Sequence, residues 1–148
     1  MKKFIFSLAL FLSLGVAGTF AAEVKEDPRV ESMFARHFSG AENVTWSDLE
    51  DGMKRVTFTL GGIRTEAYYT ADAELLGSAR NLFFSQLPLA VMQSINNKYT
   101  GAVVIEVVEI TNQAGTSYKM VLEQKEKKYT LRVNSIGEIL EQQKKKMK

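Results

Sequence analysis

Residues 54–70 read KRVTFTLGGIRTEAYYT, and the reading of this stretch decides the fold class. Val56, Phe58 and Leu60 alternate with Arg55, Thr57 and Thr59, the period of two expected of a strand with one buried face. Gly61-Gly62 supplies a two-residue hairpin turn. Ile63–Thr70 answers as the returning strand, with Ala67 and Tyr69 alternating against Glu66 and Tyr68. Working outward, Val44 and Trp46 lead a preceding strand ended by Asp51-Gly52, and a turn at Asp72-Ala73 leads to a short strand over Glu74–Arg80. The stretch is the centre of an antiparallel meander.

A helix precedes that meander. Asp27-Pro28 is an N-cap followed by proline in the first turn. Val30, Met33, Phe34, His37 and Phe38 then draw one apolar stripe, and Gly40 closes it. The spacing predicts a helix over 28–39.

The same order returns downstream. Leu87, Val91, Ile95 and Tyr99 make a second stripe, with Pro88 at its start and Gly101 past its end. Val103–Thr111 is a β-branched strand, and Asn112–Thr116 a turn. Tyr118, Met120 and Leu122 alternate, Glu126-Lys127 turns, and Tyr129, Leu131 and Val133 alternate again. Asn134–Gly137 leads to a last strand, Glu138–Gln142. The expected class is α+β, with two tandem helix-plus-meander repeats at about 27–82 and 86–142.

Two helices on one side of an antiparallel sheet leave its other side bare. The apolar alternates should face the helices. The opposite set is Arg55, Thr57, Thr59, Glu66, Tyr68, Thr70, Lys119, Val121, Glu123, Thr130 and Arg132. Tyrosine and arginine are favoured interface anchors, so Arg55, Tyr68, Lys119 and Arg132 are the candidate binding residues.

The N-terminus has the three parts of a signal peptide. Lys2 and Lys3 precede an apolar run from Phe4 to Val16, and Thr19 and Ala21 are small residues at −3 and −1. Cleavage after Ala21 leaves residues 22–148 as a single domain, with no membrane span of its own. The exported part then carries 17 cations against 17 acids. Lys144, Lys145, Lys146 and Lys148 lie in its last five residues, where a frayed, solubilising tail is expected, with attraction of Gln142–Lys148 to anionic lipid or cell-wall polymers as the alternative. The body offers no basic excess for nucleic acid.

Chemistry is sparse. The chain has no cysteine, which removes disulfides, thiolate metal sites and thiol nucleophiles. His37 is its one histidine and falls in the helical stripe, where a hydrogen-bonded residue at the edge of the core is expected. Asp48, Glu50 and Asp51 precede a turn, and Glu106 and Glu109 share a strand. A carboxylate acid/base pair needs one member in an apolar pocket, and a turn does not provide that. The ligand run of a calcium loop is absent too. No catalytic residue, metal ligand or cofactor site is expected.

Leu87-Pro88, Val91, Ile95, Tyr99, the strand Val103–Glu109, the run Tyr118-Lys119-Met120-Val121-Leu122 and the closing hairpin to Ile139 resemble the PepSY-like family of exported bacterial proteins described as beta-lactamase-inhibitor-like. The helix leading to Val44-x-Trp46 is similar to the same family, so the likeness spans about residues 28–142. It implies two tandem α-plus-antiparallel-sheet units, no cofactor, and a periplasmic or secreted setting. The expected function is non-enzymatic binding of a protein or peptide of the cell envelope through the bare sheet face. The alternatives are an inhibitor of a periplasmic hydrolase, beta-lactamase or protease, and a small hydrolase using the Asp48–Asp51 carboxylates.

Overall fold

The computed structural model describes residues 26–147; the signal-peptide reading of residues 1–21 lies outside them. Helix α1 (Pro28–His37) leads to strands β1 (Glu42–Asp48), β2 (Lys54–Leu60), β3 (Ile63–Tyr69) and β4 (Leu75–Asn81). Helix α2 (Leu89–Lys98) leads to β5 (Val103–Asn112), β6 (Gly115–Gln124), β7 (Lys127–Asn134) and β8 (Ile139–Lys146). All eight strands form one antiparallel sheet in chain order. Among the described residues no helix is long and apolar enough to cross a membrane.

Local chemistry sets the helix ends. The Asp27 carboxylate accepts a hydrogen bond from the Arg29 amide at 2.9 Å, and Pro28 occupies the first turn, where an amide hydrogen is dispensable. Helix α1 stops at His37, two residues short of expectation, because Phe38 leaves helical geometry and Gly40 adopts φ +83. The Lys125-Glu126 turn joins β6 to β7 with both residues at positive φ, the conformation that matches the twist of paired strands.

Both helices lie on the same side of the sheet. Val30 and Phe34 of α1 bury Val56, Phe58, Ala67 and Tyr69. Val91 and Ile95 of α2 bury Val107, Tyr118, Met120, Leu122, Leu131 and Val133. The register explains this grouping. Val56 stands opposite Ala67, Tyr118 opposite Val133, and Met120 opposite Val107 and Leu131, so each core is a set of directly facing side chains. Trp46 joins the first core edge-on to Phe34, ring centroids 5.4 Å apart. His37 sits at that core's edge, with Nδ1 3.1 Å from the Tyr69 hydroxyl.

Between the two cores the helix side is polar. Thr65, Ser78, Arg80, Glu109 and Thr111, together with Phe38 and Leu60 from the edge of the first core and Ile63 opposite Leu60, line a groove of about 410 Å³, and Arg80 donates to Glu109 at 2.7 Å across β4 and β5. On the helix side the halves are therefore joined through backbone pairing and a polar strip, without a shared apolar core.

Four strands bulge. Val44 in β1, Leu76 in β4, Ile105 in β5 and Leu140 in β8 are each within an inserted step of the register, and all four are exposed. Bulges bend and over-twist a strand. They fall in the first and fourth strand after each helix.

The carboxyl end differs from expectation. The lysine tail is not frayed: β8 continues through Lys146, which pairs with Lys127, and the Met147 amide donates to the Glu126 carbonyl at 2.9 Å. Backbone bonding to β7 outweighs the poor strand propensity of consecutive lysines.

Burial of tyrosine makes the fold sensitive to alkali. Tyr69 is fully enclosed, and burial pushes its phenol from 10 up to about 12. Tyr99 and Tyr118 are raised in the same direction, also chiefly by burial. Below pH 10 folded and unfolded chains both keep the Tyr69 proton, and its contribution is fully present. Above pH 10 the unfolded phenol ionises first, so stability falls until pH passes about 12, a loss on the order of 2 kcal/mol. Urea midpoints measured from neutral pH to pH 12 should fall less steeply in Tyr69→Phe than in the parent. Identical slopes would refute the assignment.

Candidate functional site

The side of the sheet away from the helices carries all four candidate binding residues. Arg55 on β2 stands directly opposite Tyr68 on β3, and Lys119 on β6 directly opposite Arg132 on β7. The sheet brings each pair together but does not merge them. β4 and β5 run between, so β3 and β6 lie about 14 Å apart at ordinary strand spacing.

What fills the interval was missed by sequence reasoning. Gly77 stands opposite Tyr68, Ala79 opposite Glu66 and Ile110, and Val108 opposite Lys119. Val108 is 2% exposed, and Ala79, Tyr68 and Val121 are buried too, although among the described residues no helix packs on this side. On a flat bare sheet such side chains would stand open to water. Their burial shows that the centre of this side is enclosed and not open. The apolar centre was detectable in principle. Residues 103–108 read VVIEVV, too continuous for a strand with one wet face.

Polar groups frame this floor. The Tyr68 hydroxyl donates to the Glu66 carboxylate at 2.8 Å, and Arg64 donates to the same carboxylate at 3.3 Å. Burial, with the Glu66 charge adding to it, holds the Tyr68 phenol far above its ordinary range. Tyr68 is thus a neutral donor at any physiological pH. Arg132 is paired with Glu141 at 2.9 Å. Among the described residues Arg55 and Lys119 form no ion pair. The Arg55 Nε is buried without a hydrogen-bond partner, a costly arrangement for a charged donor.

The carboxylates considered for catalysis are placed differently. Asp48 is exposed and ion-paired with Lys54, which also reaches Glu26 at 3.4 Å. Glu50 and Asp51 are exposed in a short 3-10 turn. Glu106 and Glu109 stand on opposite sides of β5, since Glu106 faces Val121 while Glu109 faces Tyr118. No two of these groups share an apolar pocket. Among the described residues no three histidine, aspartate or glutamate side chains converge as an ion site would require.

Neither a protein-family profile nor a curated protein sequence matches the chain. Solved structures do. A BLIP-like protein from Bacteroides fragilis superposes with a TM-score of 0.74 at 21% identity, covering 82% of this chain and 87% of that one. A protein from Bacteroides eggerthii provisionally described as periplasmic gives 0.71 at 19% identity, covering 82% and 90%. A DUF2874 family protein from Bacteroides ovatus gives 0.72 at 19% identity, covering 82% and 89%. At these identities the likeness is one of fold. The BLIP-like part of the expected resemblance has a counterpart among these structures, and the PepSY-like name has none.

Proposed function

We propose that this chain is an exported, non-enzymatic binding module that engages a protein or peptide segment with the bare side of its sheet. The observation that carries the reading is the apolar floor of Ala79, Val108 and Val121, enclosed on the side without helices and flanked by Arg55, Tyr68, Lys119 and Arg132. A partner carboxylate would pair with the Lys119 ammonium and with the terminal nitrogens of the Arg55 guanidinium, whose Nε is itself closed to solvent. The floor would be the desolvated centre that such contacts need. The setting is the periplasm or beyond, in keeping with the Bacteroides eggerthii neighbour.

The likeness to a BLIP-like protein favours a narrower second reading, in which the bound segment belongs to a periplasmic hydrolase and binding inhibits it. We also infer that residues 27–82 and 86–142 are tandem copies. Support comes from the recurring bulges and from matched turns. Ala73 donates to the Thr70 carbonyl at 3.0 Å, and Gly137 to the Asn134 carbonyl at 3.1 Å.

Partners captured on the immobilised chain from an envelope extract, then titrated against the purified parent and the Arg55→Ala, Lys119→Ala double variant, test the proposal. Loss of a buried charged contact predicts weakening by at least tenfold. Unchanged affinity for every captured partner removes the site. Stoichiometric inhibition in a panel of beta-lactamases and proteases selects the narrower reading, and full activity at molar excess rejects it.

A further inference from the structure

The ordered carboxyl end creates a surface that is not legible along the chain. Lys127 stands directly opposite Lys146, and Lys128 directly opposite Lys145. Lys144 on β8 and Lys125 in the β6–β7 turn complete a corner of six lysines. Five are exposed and Lys127 is half-buried. Among the described residues none of the six is in an ion pair. Only Glu123 and Glu126 lie beside them, at the end of β6 and in the turn. The rest of the described chain carries nine cations against fourteen acids, so the molecule is strongly polarised, with one basic corner on an acidic body.

Like charges directly opposite each other on paired strands destabilise the sheet. Protection of the edge strand β8 against aggregation does not account for all of them, because Lys127 and Lys128 lie on the inner strand β7 and Lys125 in the turn before it. The other edge strand, β1, has no lysine at all. The corner also borders exposed apolar side chains. Val103 and Ile105 begin β5 at the same end of the sheet, 61% and 52% exposed, with Val103 directly opposite Glu123. Met147 follows Lys146 and is exposed as well. Lysines flanked by exposed aliphatic groups suit a lipid bilayer, where headgroup charge meets the ammonium groups and the aliphatic groups enter the interface. A soluble polyanion offers nothing for Val103 and Ile105 to enter.

We propose that the lysine corner docks this domain, as a peripheral protein, on the surface of a membrane containing anionic lipid. Attachment there would leave the proposed binding floor available, because the corner lies at one end of β5–β8. The proposal does not depend on the floor having a ligand.

The test is co-sedimentation of the exported chain, its N-terminus read by mass spectrometry, with vesicles of phosphatidylcholine alone and of phosphatidylcholine mixed with phosphatidylglycerol. Binding is expected to the mixed vesicles, weakened by salt. Replacing Lys127, Lys128 and Lys145 with glutamine should lower the partition coefficient about a hundredfold. Serine at Val103 and Ile105 should weaken vesicle binding while leaving retention on heparin unchanged. The triple lysine variant also removes both like-charge pairs, so its urea midpoint should equal or exceed the parent's, which separates lost binding from lost folding. Equal binding to both vesicle types, no binding, or binding indifferent to the lysine changes overturns the proposal. So does heparin retention with vesicle binding indifferent to the serine changes, which assigns the corner to a soluble polyanion. Salt-sensitive self-association without vesicles would overturn it in favour of a second copy.

Discussion

Phe58→Ala is expected to destabilise the protein by about 3–5 kcal/mol and to do so unevenly. Phe58 is 1% exposed, with its ring 5.0 Å from Phe34 and 4.8 Å from Phe38, centroid to centroid. Truncation removes the side chain that α1 packs on, and the aromatic neighbours hold the space open. The second core shares no residue with the first, and the strip between them is the polar Arg80–Glu109 pair with its threonine and serine neighbours. Hydrogen exchange should therefore show amides of α1 and β1–β3 losing protection well before those of α2 and β6–β7. Equal loss throughout would mean that pairing of β4 with β5 couples the halves into one cooperative unit, against the two-core account.

Gly137→Ala carries the second large effect. Gly137 is buried in the β7–β8 turn at φ +89, and a Cβ there would lie 2.5 Å from the Ala90 carbonyl oxygen and 3.0 Å from its carbon. Both atoms are backbone in the first turn of α2, so the helix must move for the substitution to fit. The left-handed penalty and the overlap together predict a loss of about 3 kcal/mol or more. Gly61→Ala provides the comparison, since Gly61 has φ +57 and nothing within 4 Å of the added atom. It should cost only about 1–2 kcal/mol. Thermal or urea unfolding of the two variants checks the ordering, and similar losses would show that α2 yields freely. Ala73 occupies the matching turn on β3–β4 at φ +65 with its side chain buried, so the close helix approach belongs to the second half.

Much of this architecture is local and therefore readable from the chain. The alternation around Gly61-Gly62 predicts β2 and β3, and facing residues such as Val56 and Ala67 follow from that turn. The Asp27-Pro28 cap and the Val30–Phe34 stripe predict α1 to within two residues. The candidate residues Arg55, Tyr68, Lys119 and Arg132 fall on the predicted side because side-chain direction alternates strictly along a strand. The bulges at Leu76 and Leu140 were not readable, since an inserted residue is visible only against its partner strand.

Order of elements, hydrophobic period and turn chemistry act over a few residues, so the amino-acid string alone dictated two helices and an antiparallel sheet with one side bare. Three features waited on the assembled sheet. Val108 is enclosed on the side of the sheet away from α1 and α2, where alternation along β5 alone predicts exposure. Arg55 and Tyr68 are held away from Lys119 and Arg132 by the two strands where the halves join. Lys127 and Lys128 meet Lys146 and Lys145 because β8 keeps pairing where its own composition favours fraying. Each depends on neighbours distant along the chain, and distance in space is what a linear pattern does not record.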